Sequence, residues 1–216
     1  MKPNYVKYII IFTIIFLFIV INPVKADLPL NGKVIVLDAG HGGVDPGTVY
    51  QKIYEKDINL SIVSYLKEYL IDYGATVILT RESDSDLSNG VKNHRKKADF
   101  DNRIKIINNS NADIYLSIHL NHLANTKYYG AQVFYNKNNM ELAVSIQHYL
   151  NKYINSNRKV KKIPSSTYMY NKINTNGLLI ECGFLSNSDE RKKLITTEYQ
   201  KFFAKILSEA ILNYYK

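Results

Sequence analysis

The sequence predicts an α/β fold: a three-layer α/β/α sandwich with a mostly parallel central sheet, in one domain. Three observations lead there. Short apolar runs bounded by turn residues, Val34-Ile35-Val36-Leu37, Tyr115-Leu116-Ser117-Ile118 and Leu178-Leu179-Ile180, read as strands buried on both faces, the habit of parallel strands. Stretches of helical periodicity separate them, giving a βαβα alternation. Four polar residues, His41, Glu55, His119 and Glu181, each stand where an apolar run meets polar punctuation. In an open α/β sheet that rim, past the carboxyl ends of the strands, is where ligands gather.

Taken in order, the chain of 216 residues opens with Lys2 and Lys7, an apolar stretch from Ile9 to Ile21, and the small-x-small pattern Val24-Lys25-Ala26. Residues 1–26 thus read as a secretory signal peptide, with an uncleaved membrane anchor as the alternative, since the stretch is shorter than the roughly 20 residues that span a bilayer comfortably. Residues 27–216 form the expected domain, and any membrane contact is expected only through the N-terminal segment. Lys33 to Leu37 is the first strand, followed by a Gly-rich turn. From Glu55 to Tyr73, Ile58, Ile62, Leu66 and Leu70 recur at helical spacing, and Gly74 is a stop. Ala75 to Leu79 reads as a strand, and Arg81 to Asp101 as a polar surface loop with some local helix. A helix from about Arg103 to Asn109 precedes the strand ending at His119. Gly130 to Tyr135 gives another strand, and Leu142, Ile146, Leu150 and Tyr153 a second long helix. After the strand ending at Glu181 come a short helix near Glu190 to Ile195 and a closing amphipathic helix from Tyr199 to Tyr214.

The composition narrows the function classes. The only cysteine is Cys182, so no intramolecular disulfide forms, and a thioether lipid anchor is excluded. The formal charge of +9 includes Lys2, Lys7 and Lys25, so residues 27–216 keep +6, suited to an exported protein working in a polyanionic envelope or simply to a solubilising surface. No nucleic-acid reader motif accompanies the charge, and nucleic acid is not an expected partner. The Gly-rich turn lacks the G-x-G-x-x-G spacing of dinucleotide sites.

The four rim residues carry the chemistry. His41 sits in Leu37-Asp38-Ala39-Gly40-His41-Gly42-Gly43, where the glycines let the backbone turn sharply under an exposed imidazole. Asp38 would either orient that imidazole or cap the turn. Glu55 opens a helix, where a carboxylate gains about 0.3 to 1 kcal/mol from the helix dipole without any metal, yet that helix begins at the edge holding His41. His119 ends a strand buried on both faces. Glu181, directly after Leu178-Leu179-Ile180, would be costly to desolvate without a metal, a proton or a partner. Two imidazoles and one carboxylate make an open Zn2+ site, and the second carboxylate is then a general base toward water acidified to a pKa of about 7. Spacing alone lets Glu55 and Glu181 exchange these roles, with Glu181 the preferred base. His122 is an alternative ligand or substrate contact, and Asn121 joins it just past the strand. His94 and His148 read as surface residues and Cys182 as a small core residue.

The stretches LDAGHGGVDPG, YEKDINL, TRESD, ADIYLSIHLN and LLIECGFLSNSDE, in that order and covering nearly all of residues 27–216, resemble the zinc-dependent N-acetylmuramoyl-L-alanine amidases of bacterial cell walls. The resemblance implies a three-layer α/β/α fold, Zn2+ on His41, Glu55 and His119, and Glu181 as the catalytic residue, which resolves the exchange left open above. It also implies peptidoglycan as substrate, cut at the amide joining the lactyl group of muramic acid to L-alanine. Two departures bear on substrate preference: His122 stands where the family tends to have a small residue, and Ser83 to Asn102 is longer and more polar than a minimal version. Arg103 falls where the family usually carries an arginine, here expected as a cap or brace for the loop. The sequence lacks wall-binding repeats and the blocking-helix insertion of division-associated relatives. Together with the export segment and small size, this makes it similar to the spore-cortex amidases that prepare muramic-δ-lactam, placing it after export in the cell wall or the forespore intermembrane space; the missing repeats lead to the expectation of an activating or recruiting protein partner. The rivals are a zinc peptidase acting within the stem peptide and a non-catalytic peptidoglycan-binding protein.

Overall fold

A computed structural model describes residues 28–136, 139–154 and 156–216. The expected export segment, residues 1–26, lies outside the described residues; among those described, no helix is long and apolar enough to cross a membrane. The elements in chain order are β1 (Val34–Ala39), β2 (Val49–Tyr50), β3 (Ile53–Tyr54), α1 (Glu55–Asp72), β4 (Thr76–Leu79), α2 (Arg95–Asn108) and β5 (Ile114–Asn121). They continue with β6 (Gln132–Tyr135), α3 (Met140–Tyr153), β7 (Lys161–Lys162), α4 (Tyr168–Lys172), β8 (Gly177–Phe184), α5 (Ser188–Leu194) and α6 (Thr197–Tyr214).

Six strands form one sheet in the order β4-β1-β5-β8-β6-β7, and β2 pairs with β3 in a separate hairpin. β4, β1, β5 and β8 are mutually parallel; β6 runs antiparallel to β8, with β7 parallel to β6. The chain leaves β1 through α1 to reach β4 on one side, then returns through α2 to β5 on the other. The strand order therefore reverses between β1 and β5, and the crevice of a doubly wound sheet opens at their carboxyl ends.

Side chains alternate between two cores, as the pleat requires. Ile35, Leu37 and Ala39 of β1, Leu116, Ile118 and Leu120 of β5, and Leu178, Ile180 and Cys182 of β8 face one layer, packed with α1, α3 and α6. Val36 and Tyr115 face the thinner layer, where Ile107 of α2 and Met169 and Tyr170 of α4 cover them. By the same alternation Asp38, Ser117, His119 and Glu181 point to the thin side. That face, closed by only one long helix, leaves room for a cavity.

Helix α1 begins at Glu55 as expected and buries Ile58, Ile62, Val63, Leu66 and Leu70 along one stripe. It ends where Gly74, at φ +96°, lets the backbone turn so that Ala75 N–H donates to the Leu70 carbonyl. Two expectations need correction. The helix expected from about Arg103 starts at Arg95, because its inward stripe is Asp99, Arg103 and Ile107, two of them charged, and apolar periodicity cannot see it. Strands β5 and β8 continue to Asn121 and Phe184, so His119 and Glu181 lie within the sheet rather than just past it. The β2–β3 hairpin, β7 and the five-residue α4 were not anticipated; they are too short to show a period.

Candidate active site

The site is built on the turn after β1. His41 adopts the left-handed conformation at φ +63°, and a short antiparallel bridge between Gly42 and Asp45 folds the chain back on itself. The turn brings Asp45 Oδ2 to 3.1 Å from His41 Nδ1. Two glycines are demanded by the side chains they touch. A Cβ on Gly40 would lie 2.2 Å from His119 Cε1, and one on Gly47 would lie 2.6 Å from His41 Cδ2 and 2.7 Å from Glu55 Oε2.

Two buried arginines hold the carbonyls of this turn. Arg81 donates from Nε to Ala39 O and from Nη2 to Gly40 O and Lys56 O. Arg103 donates from Nη1 to Ala39 O and from Nη2 to His41 O, while its guanidinium pairs with Asp38 at 2.6 Å and Asp99 at 3.0 Å. Burial opposes the charge on Arg103, but Asp38 and Asp99 outweigh it and raise its pKa. Burial similarly opposes ionised Asp38, and Arg103, with hydrogen bonds from Ser117 and Thr80, lowers its pKa nonetheless. Arg103 is thus more than the expected brace for a surface loop: it fixes the turn that carries His41.

One atom of each of His41, Glu55 and His119 falls within a common radius, all three lying within 4.8 Å of one another. Glu55 Oε1 lies 3.2 Å from His41 Nε2 and 3.0 Å from His119 Nδ1. The carboxylate is clamped from behind: Leu120 N–H donates to Oε1 and Thr48 N–H to Oε2. Burial opposes its charge, but the two histidines hold the Glu55 carboxyl well below the usual carboxylate range. For His41 burial disfavours the imidazolium, yet Asp45 and Glu55 prevail and raise its pKa to about 9. This concentration of cation-favouring potential, with ring nitrogens turned inward, is what a divalent cation would replace.

Glu181 neighbours His119 across the β5–β8 pairing. Its Oε2 is withdrawn from solvent and has no hydrogen-bond partner, and burial pushes its pKa up to about 7. A carboxylate poised there is suited to accept and return a proton near neutral pH. It lines a cavity of about 270 Å³ together with His41, Asp45 and His119, and Phe100, Tyr168 and Tyr170 add an aromatic part to the lining.

The structure therefore brings His41, Glu55, His119 and Glu181 to one crevice. Asp38 also lines it, but its carboxylate bonds Arg103, Thr80 and Ser117; of the two alternatives read for it, orienting His41 is taken instead by Asp45. Asn121 ends β5 and accepts Leu185 N–H at its carbonyl, and His122 is exposed beyond the strand, outside the cavity lining. His94 and His148 are exposed and Cys182 is buried in the core, as expected. Sequence reasoning missed Asp45, Arg81 and Tyr170. Asp45 had a usable signal, a carboxylate four residues past a histidine in a Gly-rich turn; Tyr170 had none.

The N-acetylmuramoyl-L-alanine amidase family matches this chain over residues 35–213. A germination-specific N-acetylmuramoyl-L-alanine amidase of Bacillus subtilis (strain 168) is 43% identical over 195 residues, covering 87% of this chain and 82% of that protein. Among solved structures, the CwlD amidase from Clostridioides difficile, in complex with the GerS lipoprotein, matches with a TM-score of 0.79 at 42% identity, over 84% of this chain and 98% of that one. The N-acetylmuramoyl-L-alanine amidase from Clostridium difficile 630 gives a TM-score of 0.75 at 30% identity, over 85% and 97% of the two chains. The match runs from β1 to the end of α6 and takes in all four rim residues, so the chain belongs to the N-acetylmuramoyl-L-alanine amidase family and is an amidase by class.

Proposed function

We propose that this chain is a zinc-dependent amidase of spore-cortex peptidoglycan, cutting between the lactyl group of N-acetylmuramic acid and the L-alanine of the stem peptide. The observation that carries the reading is the pairing of a two-histidine, one-carboxylate cluster with an unpartnered buried carboxylate oxygen on Glu181. The donors fit zinc: two imidazole nitrogens and one carboxylate oxygen leave a fourth position open. His41, Glu55 and His119 would hold the metal, which supplies Lewis acidity at the scissile carbonyl and toward water.

The chain's own groups do the remainder. Glu181 Oε2 takes the proton of the attacking water and delivers it to the leaving nitrogen of L-alanine. Asp45 holds the His41 imidazole with Nδ1 as donor, leaving Nε2 for the metal. The aromatic wall of Phe100, Tyr168 and Tyr170 excludes bulk water from one side of the crevice.

Cortex as the substrate, and a role in muramic-δ-lactam formation and germination, rest on the 43% identity to the germination-specific amidase. A protein partner is supported by the relative solved with a lipoprotein. Residues 1–26 would direct the catalytic domain, 27–216, across the cytoplasmic membrane to the wall or the forespore intermembrane space. The test is mass spectrometry of products from purified cortex and vegetative wall treated with residues 27–216, with and without zinc. Zinc-dependent release of stem peptides bearing a free L-alanine amine, abolished in Glu181→Gln, is expected. Cleavage inside the peptide would replace the amidase with a peptidase, and a folded, zinc-loaded protein that only binds wall would remove catalysis.

A further inference from the structure

The two histidines of the cluster turn different nitrogens inward, Nε2 for His41 and Nδ1 for His119. A histidine that binds metal through one nitrogen needs its other nitrogen to be a hydrogen-bond donor with a fixed acceptor. For His41 that acceptor is the Asp45 carboxylate. For His119 the neighbour of Nε2 is the hydroxyl of Tyr170, at 3.3 Å, and a hydroxyl can either donate or accept.

The ambiguity is removed further along the chain of bonds. Tyr170 Oη lies 3.1 Å from Ser117 Oγ, and Ser117 Oγ lies 2.6 Å from Asp38 Oδ2. Asp38, paired with Arg103 at 2.6 Å, is an acceptor only. Ser117 must give its single proton to Asp38. Its oxygen then accepts from Tyr170, which has spent its own proton and presents a lone pair to His119. All these groups are buried except the histidine.

We propose that Tyr170 and Ser117 are positioning residues, a relay by which the buried Asp38–Arg103 pair fixes His119 with Nε2 as donor and Nδ1 free for the metal. The inference rests on the metal ligands assigned above. It gives Asp38 a role toward the second histidine rather than the first. The relay makes an unusual demand on its two members. Tyr170→Phe removes an acceptor and loosens the ring. Ser117→Ala does something worse: it releases the tyrosine proton, which turns toward Nε2 and drives the histidine proton onto Nδ1, the nitrogen the metal needs.

The experiment is zinc affinity by competition with a chromogenic chelator for the wild type, Y170F, S117A and the double variant, with circular dichroism to confirm folding. Y170F is expected to weaken zinc about tenfold, the low end for loss of a ligand's outer partner. S117A is expected to weaken it further, and S117A/Y170F to return to the Y170F value, a rescue that no packing defect produces. In parallel, 15N spectra of the zinc-loaded wild type labelled at histidine should show the N–H of His119 on Nε2, a readout that needs no variant. Normal zinc binding with S117A no weaker than Y170F overturns the relay alone, whereas a His119 N–H on Nδ1 in the zinc-loaded protein removes that nitrogen from the metal and overturns the relay together with the ligand atom it serves. A wild type that binds no zinc overturns the ligand assignment beneath it.

Discussion

Glu181 is the residue whose environment conflicts most with its charge. Its carboxyl has no hydrogen-bond partner at Oε2, and burial raises its pKa from 4.5 to about 7. Between those values the folded chain holds a proton that the unfolded chain has lost. Stability therefore falls as pH rises through that window and stays lower above it. In chelator, Glu181→Gln should match the wild type below pH 4 and exceed it above pH 7, by at most about 3 kcal/mol. Urea unfolding of both proteins at pH 4, 5.5 and 7.5 measures this, and a difference that does not change with pH would show the carboxyl to be solvated. Zinc should shrink the gap, since a neighbouring cation favours the ionised form. The sequence exposed this residue because a carboxylate after Leu178-Leu179-Ile180 has no cheap explanation. Tyr170 escaped because it needs the fold to acquire its partner, coming from a helix of five residues, whereas Asp45, four residues past His41 in a tight turn, was legible and overlooked.

At the scale of elements, the strands of four residues or more and the long apolar-striped helices were legible, α2 was only half so, and the two-residue strands were not. Its inward face carries Asp99 and Arg103 beside Ile107, with Arg103 reaching across to Asp38 on β1 and held by Asp99 from its own helix, so its register is set by ion pairing as well as by apolar contact. That choice has a consequence for stability. Removing one partner of a buried pair leaves the other charges uncompensated, at about 3–5 kcal/mol. Arg103→Met keeps most of the side-chain volume while stranding Asp38 and Asp99 and freeing the carbonyl of His41, the Ala39 carbonyl keeping its bond from Arg81. The variant should lose about that much stability by denaturant unfolding and should bind zinc more weakly, because the turn carrying His41 loses its anchor. Adding Asp38→Asn should recover part of the stability. A loss under about 1 kcal/mol would mean that the pair is not what fixes α2 to β1.

Over the whole molecule, the three proposed ligands come from three parts of the chain: the turn after β1, the first residue of α1 and the carboxyl-terminal part of β5. Their convergence follows from topology, because the strand order reverses between β1 and β5 and the helix leaving β1 starts at that edge. This is why the site could be assembled from sequence once parallel strands were recognised, whereas the thin layer over it, made of α4 and the polar half of α2, could not. The site gathers two imidazoles around one buried carboxylate. A metal bound only by the folded form stabilises it by mass action, about 2.7 kcal/mol at a free concentration one hundred times Kd. For a domain of this size each kcal/mol moves Tm by about 2–4 °C. Zinc should therefore raise Tm by about 5–11 °C over the chelated protein, with the increment growing logarithmically with free zinc. His119→Ala should abolish the increment, while the exposed His122→Ala should leave it intact. Equal increments in both variants would place the metal somewhere other than this crevice.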